Sequence, residues 1–151
     1  MATKKDPTSE RDLALLPGAE DCLRELHGAG IRLGIICDVG MTPSRALRDN
    51  LEHHGVLSLF EHWSFSDDVG AYKPAPEIFR HALAGLGVTD PARAAHVGDR
   101  RRTDVAGARA AGMVAVRYTG AVDDPAVDGL PEGDHVLDDH GLLAEALQIP
   151  T

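Results

Sequence analysis

Aromatic side chains are scarce in this 151-residue chain: one Trp, two Tyr and three Phe, 4% of the total. Its core must therefore be assembled from Leu, Ile, Val and Ala, and a hydrophobic content of 43% is ample for that. Cysteine is scarcer still. Cys22 and Cys37 are too few for a disulfide scaffold or a zinc site. Positive charge is in deficit, with 15 Lys and Arg against 24 Asp and Glu and a formal net charge of −9. Nucleic acids and anionic membranes both require a basic face, so neither is expected as a partner. No apolar run approaches the roughly 18 residues of a membrane span. Lys4 and Lys5 have no apolar stretch behind them to make a secretory signal. These absences predict a soluble, cytoplasmic, reduced protein. The length fits one domain, expected over residues 13–151 behind a polar tail at 1–12.

What the chain does contain is an alternation of short β-branched runs and amphipathic helical stretches. Pro17-Gly18 opens a helix whose Ala19, Cys22, Leu23 and Leu26 follow helical spacing, and Gly28 and Gly30 end it. Residues 31–37 read as a strand, apolar enough at its end to suggest cover on both faces. A helix follows over about 43–54, then a strand at 62–65 and a long loop at 66–76. Pro76 starts a helix carrying Ile78, Phe79, Ala82 and Leu83 on one side. Strands are expected at 94–97, 113–118 and 135–138, and helices at about 103–111 and 141–147. Residues 123–134 form an acidic loop. The pattern predicts an α/β fold: three layers, Rossmann-like, with a mostly parallel sheet between helices.

Ligands of such sheets bind at the carboxyl ends of the strands, and polar residues gather there. The first strand ends in Cys37-Asp38. The second is followed by Gly70-Ala-Tyr-Lys73-Pro74-Ala-Pro76-Glu-Ile-Phe79. The third runs into Val97-Gly98-Asp99-Arg-Arg-Arg-Thr-Asp104-Val-Ala-Gly107-Ala108. A lysine and two spaced carboxylates at one edge suit a phosphate and a divalent cation, since Mg²⁺ prefers one or two carboxylates with substrate phosphate and water. In order and spacing these blocks resemble the haloacid dehalogenase superfamily of hydrolases, over about residues 16–118.

The resemblance implies a role for each matching position. Lys73 would hold the phosphoryl group, and Asp99 and Asp104 would surround Mg²⁺. Cys37 and Asp38 would line the phosphate position, with Cys37 standing where the family usually has Ser or Thr. A thiol is the weaker donor. The family's first motif, a strand ending Asp-x-Asp-x-Thr, has no counterpart: Asp6 is followed by Pro-Thr-Ser and Asp12 by Leu-Ala-Leu. In the family that strand lies centrally, between those ending here at Cys37 and Asp99, and it carries the attacking aspartate. No cap domain is recognisable either.

The expectation is thus a Mg²⁺-dependent phosphatase of a small phosphorylated metabolite, incomplete as this chain alone. The rival expectation is a catalytically silent module that binds a phosphorylated ligand or a protein. A missing central strand further predicts re-pairing of its neighbours, self-association, or a separate polypeptide that supplies it. His96 on a strand should be buried and satisfied, and Cys22 should be core. Arg100, Arg101 and Arg102 are either a lure for anions or a solvated counter to the nearby aspartates. Ser66, Asp67 and Asp68 are expected to shape their loop and to reach toward the metal's outer shell.

Overall fold

Gly18, at φ 78°, turns the chain into helix α1 (Ala19–Gly28), which buries Cys22 and Leu26. That φ is in the left-handed region glycine tolerates without steric cost. The computed structural model describes residues 14–151, so the expected N-terminal tail lies outside the described residues. Strand β1 (Gly34–Cys37) pairs in parallel with β2 (His62–Phe65), Cys37 standing opposite Phe65. Between them lies α2 (Ser44–His53). One helical turn, α3 (Ser66–Val69), and helix α4 (Pro76–Gly85) follow, the latter with proline in its first turn. Strands β3 (Ala95–Gly98), β4 (Val114–Tyr118) and β5 (His135–Leu137) form a second parallel sheet in that order. A π-helical turn (Arg101–Val105) leads into α5 (Ala106–Ala110), and α6 (Leu143–Ala146) comes last.

Period-two alternation on β4 separates the two cores. Ala115 joins Ile78, Phe79 and Leu83 of α4 and Ala108 of α5, while Val116 joins Cys22 and Leu26 of α1 and Leu143 of α6. Helices therefore cover both faces, and the three-layer α/β expectation holds. Ile78 and Phe79 are wholly buried, each contributing about 1.5–3 kcal/mol. No helix among the described residues is long and apolar enough to cross a membrane.

Several expectations are corrected. The strand expected over 31–37 is only four residues long, and its burial is partial rather than complete on both faces. Among the described residues β1 has β2 as its single partner, which leaves its other edge open. The loop expected over 66–76 begins with the turn α3, closed by Gly70 at φ 80°. The helix expected from 103 starts as a π-helical turn at Arg101.

Re-pairing of the flanking strands does not occur either: among the described residues, β1 and β3 share no hydrogen bonds. Their ends are tied at a distance instead. Lys73 bonds Asp38, just beyond β1, through its backbone N–H, and reaches Asp104, packed on the end of β3, through its side chain. The α1–α6 core still joins the two sheets, since Leu33 beside β1 and Val116 of β4 lie in it together.

Candidate functional site

Four of the five expected site residues are linked by direct contacts or close electrostatics at the carboxyl ends of β1 and β3. The Lys73 backbone N–H donates to Asp38 Oδ1 at 2.8 Å. Its Nζ lies 2.6 Å from Asp104 Oδ1, in a pair whose side chains are 13% and 4% exposed. Cys37 is near enough to Lys73 for the ammonium to act on its thiol. Burial pushes that thiol up more strongly than Lys73 draws it down, so Cys37 is a neutral thiol at pH 7 and a poor nucleophile.

Asp104 is the most constrained group. His96 Nε2 sits 2.9 Å from the same Oδ1, and the Arg100 backbone N–H donates to Oδ2 at 3.0 Å. Burial alone would raise its pKa, but the His96 hydrogen bond and the Lys73 charge outweigh burial and hold it well below the usual carboxylate range. Gly98 makes the fit possible, because a Cβ there would stand 2.2 Å from Asp104 Cγ. Gly107, about one turn after Asp104, likewise permits a close approach. A Cβ at 107 would meet the Phe79 ring at 2.5 Å and Pro74 Cα at 3.2 Å. The small-residue run of α5 thus lets the Lys73-Pro74 segment approach.

Asp99, immediately beyond β3, is half-buried, and its carboxylate makes no hydrogen bond or ion pair among the described residues. No group of three or more His, Cys, Asp or Glu among them is placed to hold a metal. The donor chemistry nevertheless suits Mg²⁺ in part. Asp99 offers a hard, uncommitted carboxylate, whereas both oxygens of Asp104 are taken by Lys73, His96 and Arg100.

The neighbouring polar residues mostly hold backbone. Ser66 Oγ accepts from the Val39 N–H at 2.7 Å, and Asp67 Oδ2 accepts from the Ser44 N–H at 3.0 Å. Together they fasten the loop after β1. Asp68 pairs with Arg48. The arginine run divides: Arg100, paired with Asp124 at 3.5 Å, and Arg102 are exposed, as the solvated reading expects, and Arg101 departs from both readings. Arg101 is 4% exposed and turns inward, with its Nε on Asp124 O at 3.0 Å and a guanidinium nitrogen on Glu132 Oε2 at 2.6 Å. Arg117, also buried, binds Asp123 and Glu132. The acidic loop supplies their carboxylates. Only contact between 101, 117 and 132 reveals this, and local sequence carries no signal for it.

His96 was legible as a buried, satisfied histidine, and its partner proves to be Asp104. A family model for haloacid dehalogenase-like hydrolases matches residues 7–112. The chain belongs to this family. It is 37% identical over 145 residues to the bovine (Bos taurus) haloacid dehalogenase-like hydrolase domain-containing protein 3, covering 95% of this chain and 55% of that one. It is 32% identical over 142 residues to a phosphoglycolate phosphatase of Salmonella typhi, covering 94% and 54%. The crystal structure of a HAD phosphatase from Thermococcus onnurineus superposes with a TM-score of 0.75 at 30% identity, covering 89% of this chain and 59% of that one. The chain thus spans about half the length of the curated relatives it matches.

Proposed function

We propose that this chain carries the phosphate-gripping half of a Mg²⁺-dependent phosphohydrolase site that acts on a small phosphorylated metabolite. The observation that carries the reading is the Lys73–Asp104 pair at 2.6 Å, held at the sheet edge beside Asp38 and Cys37. Phosphatases among its relatives support the reaction class. A lysine held by a buried carboxylate keeps its charge and its place, and neutralises the phosphoryl group as charge develops on it. Asp38 fixes the Lys73 backbone. Asp99 would hold Mg²⁺, which polarises the phosphoryl oxygens when bound. Asp104, with both oxygens engaged, anchors Lys73.

Covalent phosphoryl transfer also needs an attacking carboxylate and a neighbour to move protons. Lys73 and Asp104 are committed to one another, Asp38 to a backbone N–H, and Cys37 is a neutral thiol. In this reading Asp99 is kept for the metal, and the attacking aspartate is supplied from outside the described residues, by a further segment or a second polypeptide seated between β1 and β3.

The test is hydrolysis of a generic aryl phosphate with Mg²⁺, by the 151-residue chain alone and with an added peptide strand ending Asp-x-Asp-x-Thr. The expected result is no turnover alone, turnover with the peptide, and loss of it in Lys73→Ala. Turnover by the chain alone, abolished by Lys73→Ala, would overturn the claim that the site is incomplete. Turnover with the peptide that survives Lys73→Ala would overturn the site itself.

A further inference from the structure

We infer that His96 is a positioning residue, fixing the Asp104 carboxylate so that Lys73 presents its ammonium to a phosphate anion at the sheet edge. The inference rests on the phosphohydrolase reading above and adds to it a residue that acts on the anion through two others, Asp104 and Lys73.

His96 stands on β3 with its side chain 9% exposed, and its Nε2 lies 2.9 Å from Asp104 Oδ1. An ionised carboxylate only accepts, so Nε2 carries the proton of this bond. Phe79, wholly buried on α4, meets the imidazole edge-on, with ring centroids 5.3 Å apart and an interplanar angle of 82°. That contact sets the plane in which Nε2 points. His96 is therefore held by a strand and braced by a helix, while Lys73 comes from a loop. A group on regular elements holds a site geometry more tightly than one on a loop.

The sharing of one oxygen matters for charge as well as place. Asp104 Oδ1 takes both His96 and Lys73, and Oδ2 takes the Arg100 N–H. One ammonium hydrogen of Lys73 is committed to that oxygen, and the other two remain for an incoming anion. With an apolar side chain at 96, the buried carboxylate loses a donor and is left under-satisfied. It regains a partner by turning toward Lys73, which draws the ammonium back from the edge.

The experiment uses the full chain with inorganic phosphate as the probe. It measures phosphate affinity by calorimetry and the Lys73 ε-ammonium signal by ¹H–¹⁵N spectroscopy, in the parent chain, His96→Leu, His96→Gln and Lys73→Ala. Glutamine sets an amide N–H near the position of Nε2. His96→Leu is expected to bind phosphate about tenfold more weakly, as loss of a hydrogen bond to a charged group implies. Its ammonium signal should shift and broaden, and His96→Gln should recover both readouts. Should His96→Leu fail to fold, His96→Asn, whose amide stops short of Asp104, is read in its place.

Parent-like phosphate affinity or an unmoved ammonium signal in the leucine variant overturns the inference. So does a glutamine variant that behaves like leucine. Lys73→Ala separates the two levels. Weakened binding there with unchanged binding in His96→Leu removes only the role of His96. Unchanged binding in Lys73→Ala removes the phosphohydrolase reading itself.

Discussion

A single carboxylate organises the edge of this molecule. Asp104 receives Lys73, His96 and a backbone N–H; the last two come from the stretch just before it and Lys73 from 31 positions away. Such a pair contributes little net stability when formed, but removing one partner strands the other charge, at a cost of roughly 3–5 kcal/mol. Asp104→Asn should therefore lower the melting temperature by about 10 °C in a domain of this size, as thermal unfolding would show. Asp99→Asn, which removes a carboxylate with no partner among the described residues, should leave it nearly unchanged. Equal losses in the two variants would contradict the division of labour proposed for them. Gly98→Ala is the complementary test. Its Cβ would overlap Asp104, so Lys73 should lose its anchor although no charge has been removed. Lys73, Asp99 and Asp104 stand out in sequence because Gly-x-x-Lys-Pro and Gly-Asp-x4-Asp are local patterns. The partners of His96 and Arg101 do not, because the fold and not a local pattern decides which carboxylate each one meets.

The loop between β4 and β5 is held down by two buried arginines rather than by apolar packing. Glu132 receives both Arg101 and Arg117. Those hydrogen bonds, Arg101 first, pull its carboxyl from the usual 4.5 down to about 2. A carboxyl depressed in the folded state stabilises the fold above its unfolded pKa, and that contribution is lost as pH falls through the folded value. The contribution of Glu132 is thus complete above about pH 4.5 and gone near pH 2. The melting temperatures of the parent chain and Glu132→Gln should differ at pH 7 and converge across that window. A gap that stays constant to pH 2.5 would show that Glu132 is not the group being titrated. Helix α5 teaches a similar lesson about elements. Its small residues signal close packing, yet the π-helical turn before it follows from Asp104 having to reach back over Gly98.

At the scale of the molecule, two parallel sheets share cores without sharing a hydrogen bond among the described residues. Among the described residues, only β4 is paired on both sides, by β3 and β5. Its amides should be the slowest to exchange with solvent, and those of β1 and β3 distinctly faster, because an unpaired edge opens with little disruption. Protection of β1 and β3 equal to that of β4 would mean that the interval between them is bridged. Adding the peptide strand that restores turnover should raise protection on both together.

Alternation of strands and helices, the apolar faces and the residues at the strand ends follow from the sequence alone, because hydrophobic period and turn chemistry are local properties. The tertiary structure decided three things. It determined that β1 and β3 share no hydrogen bonds among the described residues, that Lys73 and His96 meet on one oxygen of Asp104, and that Arg101 turns inward. Each depends on the meeting of residues some thirty positions or more apart or on strands that must find a partner, and no window of local pattern contains those distances.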